Sequence, residues 1–148
     1  MNKPINIAFL EKNLENLRGV TLQSIEVIAM DLTFLRFGDV IKINSKNECN
    51  WRIALESPWL LQTTKKGIVS VLDAGSEDKL YECLCNVSYH SLDITDHGDT
   101  TLYFSDDYQL RIFPVVGHQA RCNWSLRNFK EDFSIDVNTD SIMYYKTG

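Results

Sequence analysis

Across residues 73–107 the sequence has one basic side chain, Lys79, against nine carboxylates: Asp73, Glu77, Asp78, Glu82, Asp93, Asp96, Asp99, Asp106 and Asp107. A stretch so short of positive charge repels phosphate, which argues against a nucleic-acid or anionic-lipid partner. Long apolar runs are missing as well, and none approaches the roughly 20 residues that cross a bilayer. The longest near the N-terminus, Ile7 to Leu10, is broken by Glu11 and Lys12 with no small-residue cleavage site behind it. Neither a membrane helix nor a secretory leader is expected. Cysteine is sparse, and four thiols without an export signal read as reduced side chains in a cytoplasmic protein. Catalytic signatures are lacking too: there is no phosphate loop, no dinucleotide glycine fingerprint, no His-Glu-x-x-His and no Gly-x-Ser-x-Gly. The chain is therefore expected to be non-enzymatic, with no cofactor and no metal.

What is present is an ordinary globular composition, 44% apolar and 24% charged over 148 residues, enough to bury a core in one domain spanning 1–148. A pattern is written twice. Leu35-x-Phe37-x-Asp39, Ile41-x-Ile43 and Cys49-Asn50-Trp51 with Ile53 are echoed by Leu102-x-Phe104-x-Asp106, Leu110-x-Ile112 and Cys122-Asn123-Trp124 with Leu126. Each copy reads as a hairpin followed by a third strand.

Ahead of each copy lies a helical pattern. Leu10, Leu14 and Leu17 predict a helix over 5–18, with Pro4 at its start and Gly19 at its end. Leu80, Cys83, Leu84 and Val87 predict another over 76–90, with Ser76 as N-cap and Glu77 and Asp78 at the positive end of the dipole. Residues 20–29 alternate with a change of phase at Gln23-Ser24, the mark of a bulged strand. Turns are expected at Gly38-Asp39, Lys65-Lys66-Gly67 and 96–99, and strands near 58–62, 67–72, 91–95, 121–127, 133–137 and 142–145. The expected fold class is α+β: two helix-plus-antiparallel-meander pseudo-repeats, about 5–72 and 76–145, with the helices packed on a largely antiparallel sheet.

Trp51 and Trp124 are in phase with Ile53 and Leu126 and should face the core, with Cys49 and Cys122 as small thiols on the opposite side. Trp59, after Pro58 on an expected edge strand, is the tryptophan assigned to a partner, with Tyr108 as a second apolar anchor. Cys83-x-Cys85 with His90 has metal-like letters, but residues two apart on a helix diverge. His97 beside Asp96 and Asp99 is a weak acid/base candidate, and His118 falls in a loop. The sharpest signal is the acidic stretch, at a net −8 in a chain otherwise balanced or slightly basic. Folded together, Glu77, Asp78, Glu82, Asp96, Asp99, Asp106 and Asp107 would make a negative patch that draws in a basic protein.

The string Leu102-x-Phe104-x-Asp106-x-x-x-Leu110-x-Ile112, a loop, then Trp124-x-Leu126 resembles the C-terminal meander of small bacterial immunity proteins found beside polymorphic toxins and contact-dependent growth-inhibition systems. That resemblance implies a small, acidic, non-catalytic protein that neutralises one cognate toxin domain, often a basic nuclease, by covering its active site or substrate groove. The residues themselves leave other readings open: a small-ligand or carbohydrate-binding module using Trp and Tyr faces, an unrecognised hydrolase around His97, or a scaffold domain. Monomer and homodimer are equally compatible with the sequence.

Overall fold

Apolar and polar side chains alternate through most of the chain, and the computed structural model, which describes residues 2–63, 67–114 and 122–146, turns these runs into β-strands. The first half holds β1 (Asn2–Pro4), α1 (Ile7–Leu14) with a 3-10 turn over Glu15–Leu17, β2 (Leu22–Ala29), β3 (Leu32–Ile43), β4 (Lys46–Leu55), β5 (Trp59–Thr63) and β6 (Gly67–Ser70). The second half holds α2 (Ser76–Leu84), β7 (Tyr89–Ile94), β8 (Thr100–Phe104), β9 (Gln109–Ile112), β10 (Cys122–Asn128), β11 (Phe133–Asn138) and β12 (Ile142–Lys146). They form two antiparallel sheets, a larger one in the order β1-β12-β11-β10-β4-β3-β2 and a smaller one in the order β6-β5-β9-β8-β7. One core lies between them, with Leu35, Ile53, Leu55, Leu102, Leu110 and Leu126 all fully buried. Each such side chain contributes about 1.5–3 kcal/mol.

The expected α+β class with helices packed on a sheet is corrected: the described residues are 55% strand and 15% helix, a β-rich fold. Helices of eight and nine residues reach only about 12–14 Å, too short to cover a sheet about 30 Å wide. Each sheet instead buries its apolar face against the other. The helices serve the edges, α1 packing on β7 and α2 on β2 and β6.

Strand pairing gives the internal likeness a different register from the one written in the sequence. Leu22, Ile25, Thr33, Leu35 and Phe37 correspond to Tyr89, Leu92, Thr100, Leu102 and Phe104, each 67 positions later. Both sets make the same pairings, Leu22↔Phe37 and Ile25↔Leu35 in one, Tyr89↔Phe104 and Leu92↔Leu102 in the other. Thus β2-β3-β4 matches β7-β8-β9, and β5-β6 matches β10-β11. Each half builds a three-stranded meander in one sheet and sends its next two strands into the other sheet, where β5 joins β9 and β10 joins β4. The counterpart of Trp124 is therefore Trp59, and that of Trp51 is Tyr108.

Gly38-Asp39 is a bulge within β3 and not the expected hairpin turn. The turn falls at Asn44 and Ser45, both with positive φ (50° and 66°), as a two-residue hairpin loop demands. Beyond that bulge β3 and β4 carry an extension that β8 and β9 lack, which is what displaced the register of the written repeat. The bulge expected at Gln23 is present. Both helices are shorter than expected: Pro4 lies in β1, α1 is capped by the Asn6 side chain, which accepts from Phe9 N at 3.0 Å, and α2 ends at Leu84.

Candidate functional site

Two tryptophans hold the sheets together. Thr33, Leu55 and Trp124 form one row across β3, β4 and β10, and Thr100, Ile112 and Trp59 form the matching row across β8, β9 and β5. Trp59 Nε1 donates to Thr33 Oγ1 at 3.0 Å and Trp124 Nε1 to Thr100 Oγ1 at 2.9 Å, each bond crossing from one sheet to the other. The assignment of Trp59 and Tyr108 to a partner surface is corrected on this ground. Trp59 is 1% exposed on an interior strand and Tyr108 is 6% exposed. Their apolar area is spent on the core, and the same burial removes the indole of Trp124 as a sugar platform.

Cys49 is buried on the same side of β4 as Trp51, not opposite it, because side chains two apart on a strand share a face. Burial, the nearby Glu48 carboxylate and the lost solvation of a thiolate push the Cys49 thiol up. Cys122, half-buried, donates to Trp124 O at 2.9 Å and is likewise pushed up by burial and by Asp136 and Glu56. Neither is an activated nucleophile. Cys83 packs against the core and Cys85 turns to Glu82 O at 3.6 Å, while His90 is exposed beside Ser91. Among the described residues no three potential ligands converge. His118 lies outside the described residues.

The acidic residues do not assemble into one patch. Asp96 and Asp99 lie in the β7–β8 turn and Asp106 and Asp107 in the β8–β9 turn, at opposite ends of five-residue β8, about 17 Å apart. Asp78 and Glu82 are exposed on α2, which packs at the β6 edge, across the smaller sheet from β7. Glu77 is engaged internally: its Oε1 accepts the backbone N–H of Val27 on edge strand β2 at 2.7 Å. His97-Gly98-Asp99 makes a turn, with Thr95 Oγ1 accepting from Asp99 N at 3.2 Å. Asp106 and Asp107 both have positive φ (65° and 63°), a conformation aspartate tolerates better than most residues.

What remains on the smaller sheet is a rim. Asp96 and Asp99 stand at one end of β8, Asp106 and Asp107 at the other, and exposed Asp93 on edge strand β7 between them. Beside Asp106 and Asp107 a shallow cleft of about 320 Å³ is lined also by His90, Tyr103 and an edge of Tyr108.

The outer face of the larger sheet carries residues that sequence reasoning missed. Arg36, Arg52 and Arg127 stand side by side on β3, β4 and β10. They interleave with two rings: the Arg36 and Arg52 guanidiniums lie 5.1 and 4.3 Å from Phe34, and those of Arg52 and Arg127 lie 5.0 and 4.9 Å from Phe129. Arg36 pairs with Glu26 at 3.0 Å and Glu48 at 2.9 Å, and Arg127 with Asp132 at 2.7 Å. Among the described residues Arg52 has only Glu48 Oε2, at 3.9 Å. On β11 of the same face, burial and the charge of Glu56 push the Asp136 carboxyl up to about 6 against the opposing pull of Arg127. Residue spacing alone could have found the alternation, but not that three strands align their arginines in one row. No family model, curated protein or solved structure matches this chain.

Proposed function

We propose that this chain is a non-enzymatic binding protein that covers a basic surface of a partner protein, in the manner of the immunity proteins its second meander resembles. The observation that carries the reading is the rim of the smaller sheet: Asp93, Asp96, Asp99, Asp106 and Asp107 frame β7 and β8, and no lysine or arginine occurs between Lys79 and Arg111. Arg18, which donates to His90 O at 2.7 Å, and Arg111, paired with Thr101, stand beside the five carboxylates, and the net negative charge that is left raises the encounter rate with a basic partner and leaves the residence time to apolar contacts. The cleft beside Asp106 and Asp107, walled by Tyr103, suits the stem and head of one lysine or arginine. The α2 acids take a lesser part, since Glu77 serves the fold. Trp59 and Tyr108 take none, because they are core.

The test is co-expression with the product of the neighbouring reading frame, followed by stopped-flow association of the two purified proteins. Rescue of toxicity, with an association rate that falls about tenfold or more in D96N/D99N/D106N/D107N and flattens with salt, supports the reading. Rescue or binding that this variant leaves untouched removes the rim from it, and absence of both removes the immunity reading.

A further inference from the structure

We propose that the outer face of the larger sheet is the interface of a two-fold homodimer, in which Arg52 of each protomer meets Asp136 of the other. The face holds two charges of opposite sign that are weakly met among the described residues, Arg52 by Glu48 Oε2 at 3.9 Å and Asp136 by no ion pair. The Arg52 guanidinium lies 4.3 Å from the Phe34 ring centre and 5.0 Å from that of Phe129, and its side chain remains 23% exposed. Its Nε is buried without a hydrogen-bond partner. Among the described residues Glu48 is the one carboxylate within 4 Å: its Oε2 is 3.9 Å from Arg52 Nη1, while its Oε1 accepts from Arg36 Nε at 2.9 Å and from Cys49 N at 3.2 Å. Asp136 makes no hydrogen bond or ion pair among the described residues, and Glu56 and Arg127 are the charges that act on it.

Arg52 and Asp136 lie two strands apart, on β4 and β11, with β10 between them. In an isologous contact residue i meets j while j meets i, so one two-fold axis running near β10 brings Arg52 and Asp136 together twice. A partner carboxylate suits the open fork of a guanidinium already stacked and immobilised, because little side-chain entropy is left to lose. Both groups are partly stripped of water by folding, which lowers what association must still remove. The half-buried rings of Phe34, Phe129 and Tyr145 and the Met143 side chain supply apolar surface on the same face. Seven strands about 4.8 Å apart and about 20 Å long present roughly 600 Å² per protomer, the low end of a specific interface. This face belongs to the other sheet from the acidic rim, so the dimer does not rest on the proposed partner.

Sedimentation equilibrium of the full chain, R52E and D136R decides the matter, with near-UV circular dichroism confirming that each variant is folded. The wild type should dimerise, and each charge reversal should raise the dissociation constant by about thirtyfold or more. An equimolar mixture of R52E and D136R should dimerise again, since each altered position then faces its complement. R52Q and D136N, gentler changes, should weaken the dimer in the same direction and replace the reversals if either fails to fold. A wild type that stays monomeric into the millimolar range, a dimer indifferent to these variants, or a mixture that does not recover overturns the proposal.

Discussion

The indole nitrogen of Trp59 lies 3.0 Å from the hydroxyl oxygen of Thr33, a fully buried hydrogen bond that joins the two sheets. Its mate, Trp124 to Thr100 at 2.9 Å, repeats it in the second half of the chain. T33V keeps the shape and removes the acceptor, which leaves a buried N–H unmet. A loss of about 1–3 kcal/mol is expected from urea unfolding, and the same from T100V. W59F combined with T33V should cost less than the sum of the two single changes, because the partner left unmet by each is gone. Additive losses would mean that the bond contributes nothing.

Gly98 holds the β7–β8 turn at φ 86°, and a Cβ there would sit 2.8 Å from Thr139 Cα. The neighbouring atom is backbone and cannot swing aside. G98A should cost about 2–4 kcal/mol, whereas G19A, at φ 73° with nothing within 4 Å, should cost only about 1–2 kcal/mol. Equal losses in thermal or denaturant unfolding would show that the turn yields without strain.

Glu77 holds the N–H of Val27 on the exposed edge of the larger sheet. E77A should destabilise by about 1–3 kcal/mol and speed hydrogen exchange at Val27, while E77Q, which keeps an acceptor, should lose less. D78N and E82Q, on the same helix, should leave both measurements unchanged. An E77A protein with unaltered exchange at Val27 would return Glu77 to the pool of free surface charges.

Asp136 should make stability fall as pH rises. Its folded-state pKa is raised to about 6, so between roughly pH 4 and pH 6 the folded chain binds the proton more tightly than the unfolded one. The stabilisation is complete below the unfolded pKa and is lost as pH passes through about 6. At submicromolar concentration, where association is negligible, D136N should raise stability at pH 7.5 and leave it near the wild-type value at pH 4.5. An equal gain at both pH values would sink this assignment.

Much of the secondary structure was legible because strands bury every second side chain. Leu102, Phe104, Leu110 and Ile112 announced β8 and β9 to within a residue or two, and the phase change at Gln23 announced its bulge. Gly38-Asp39 was misread because a positive-φ glycine serves a bulge as well as it serves a turn, and only the pairing of Phe37 with Trp51 and Val40 with Cys49 separates the two. The acids of 73–107 were legible as charge but not as a place. Their spacing along the chain says nothing of β6 and β7 standing at opposite edges of one sheet.

The sequence by itself determined that the chain is written twice, that it is rich in alternating strands, and that residues 73–107 are acidic, since these are properties of order and composition. Tertiary structure alone decided what covers each apolar face, which tryptophans correspond, and which charges are met. The reason is physical: alternation fixes which side of a strand is apolar, but the surface that buries it comes from residues far away in the chain. Thr33 meets Trp59 only because β5 crosses to the other sheet, and Arg52 stands between Phe34 and Phe129 only because β10 comes back beside β4.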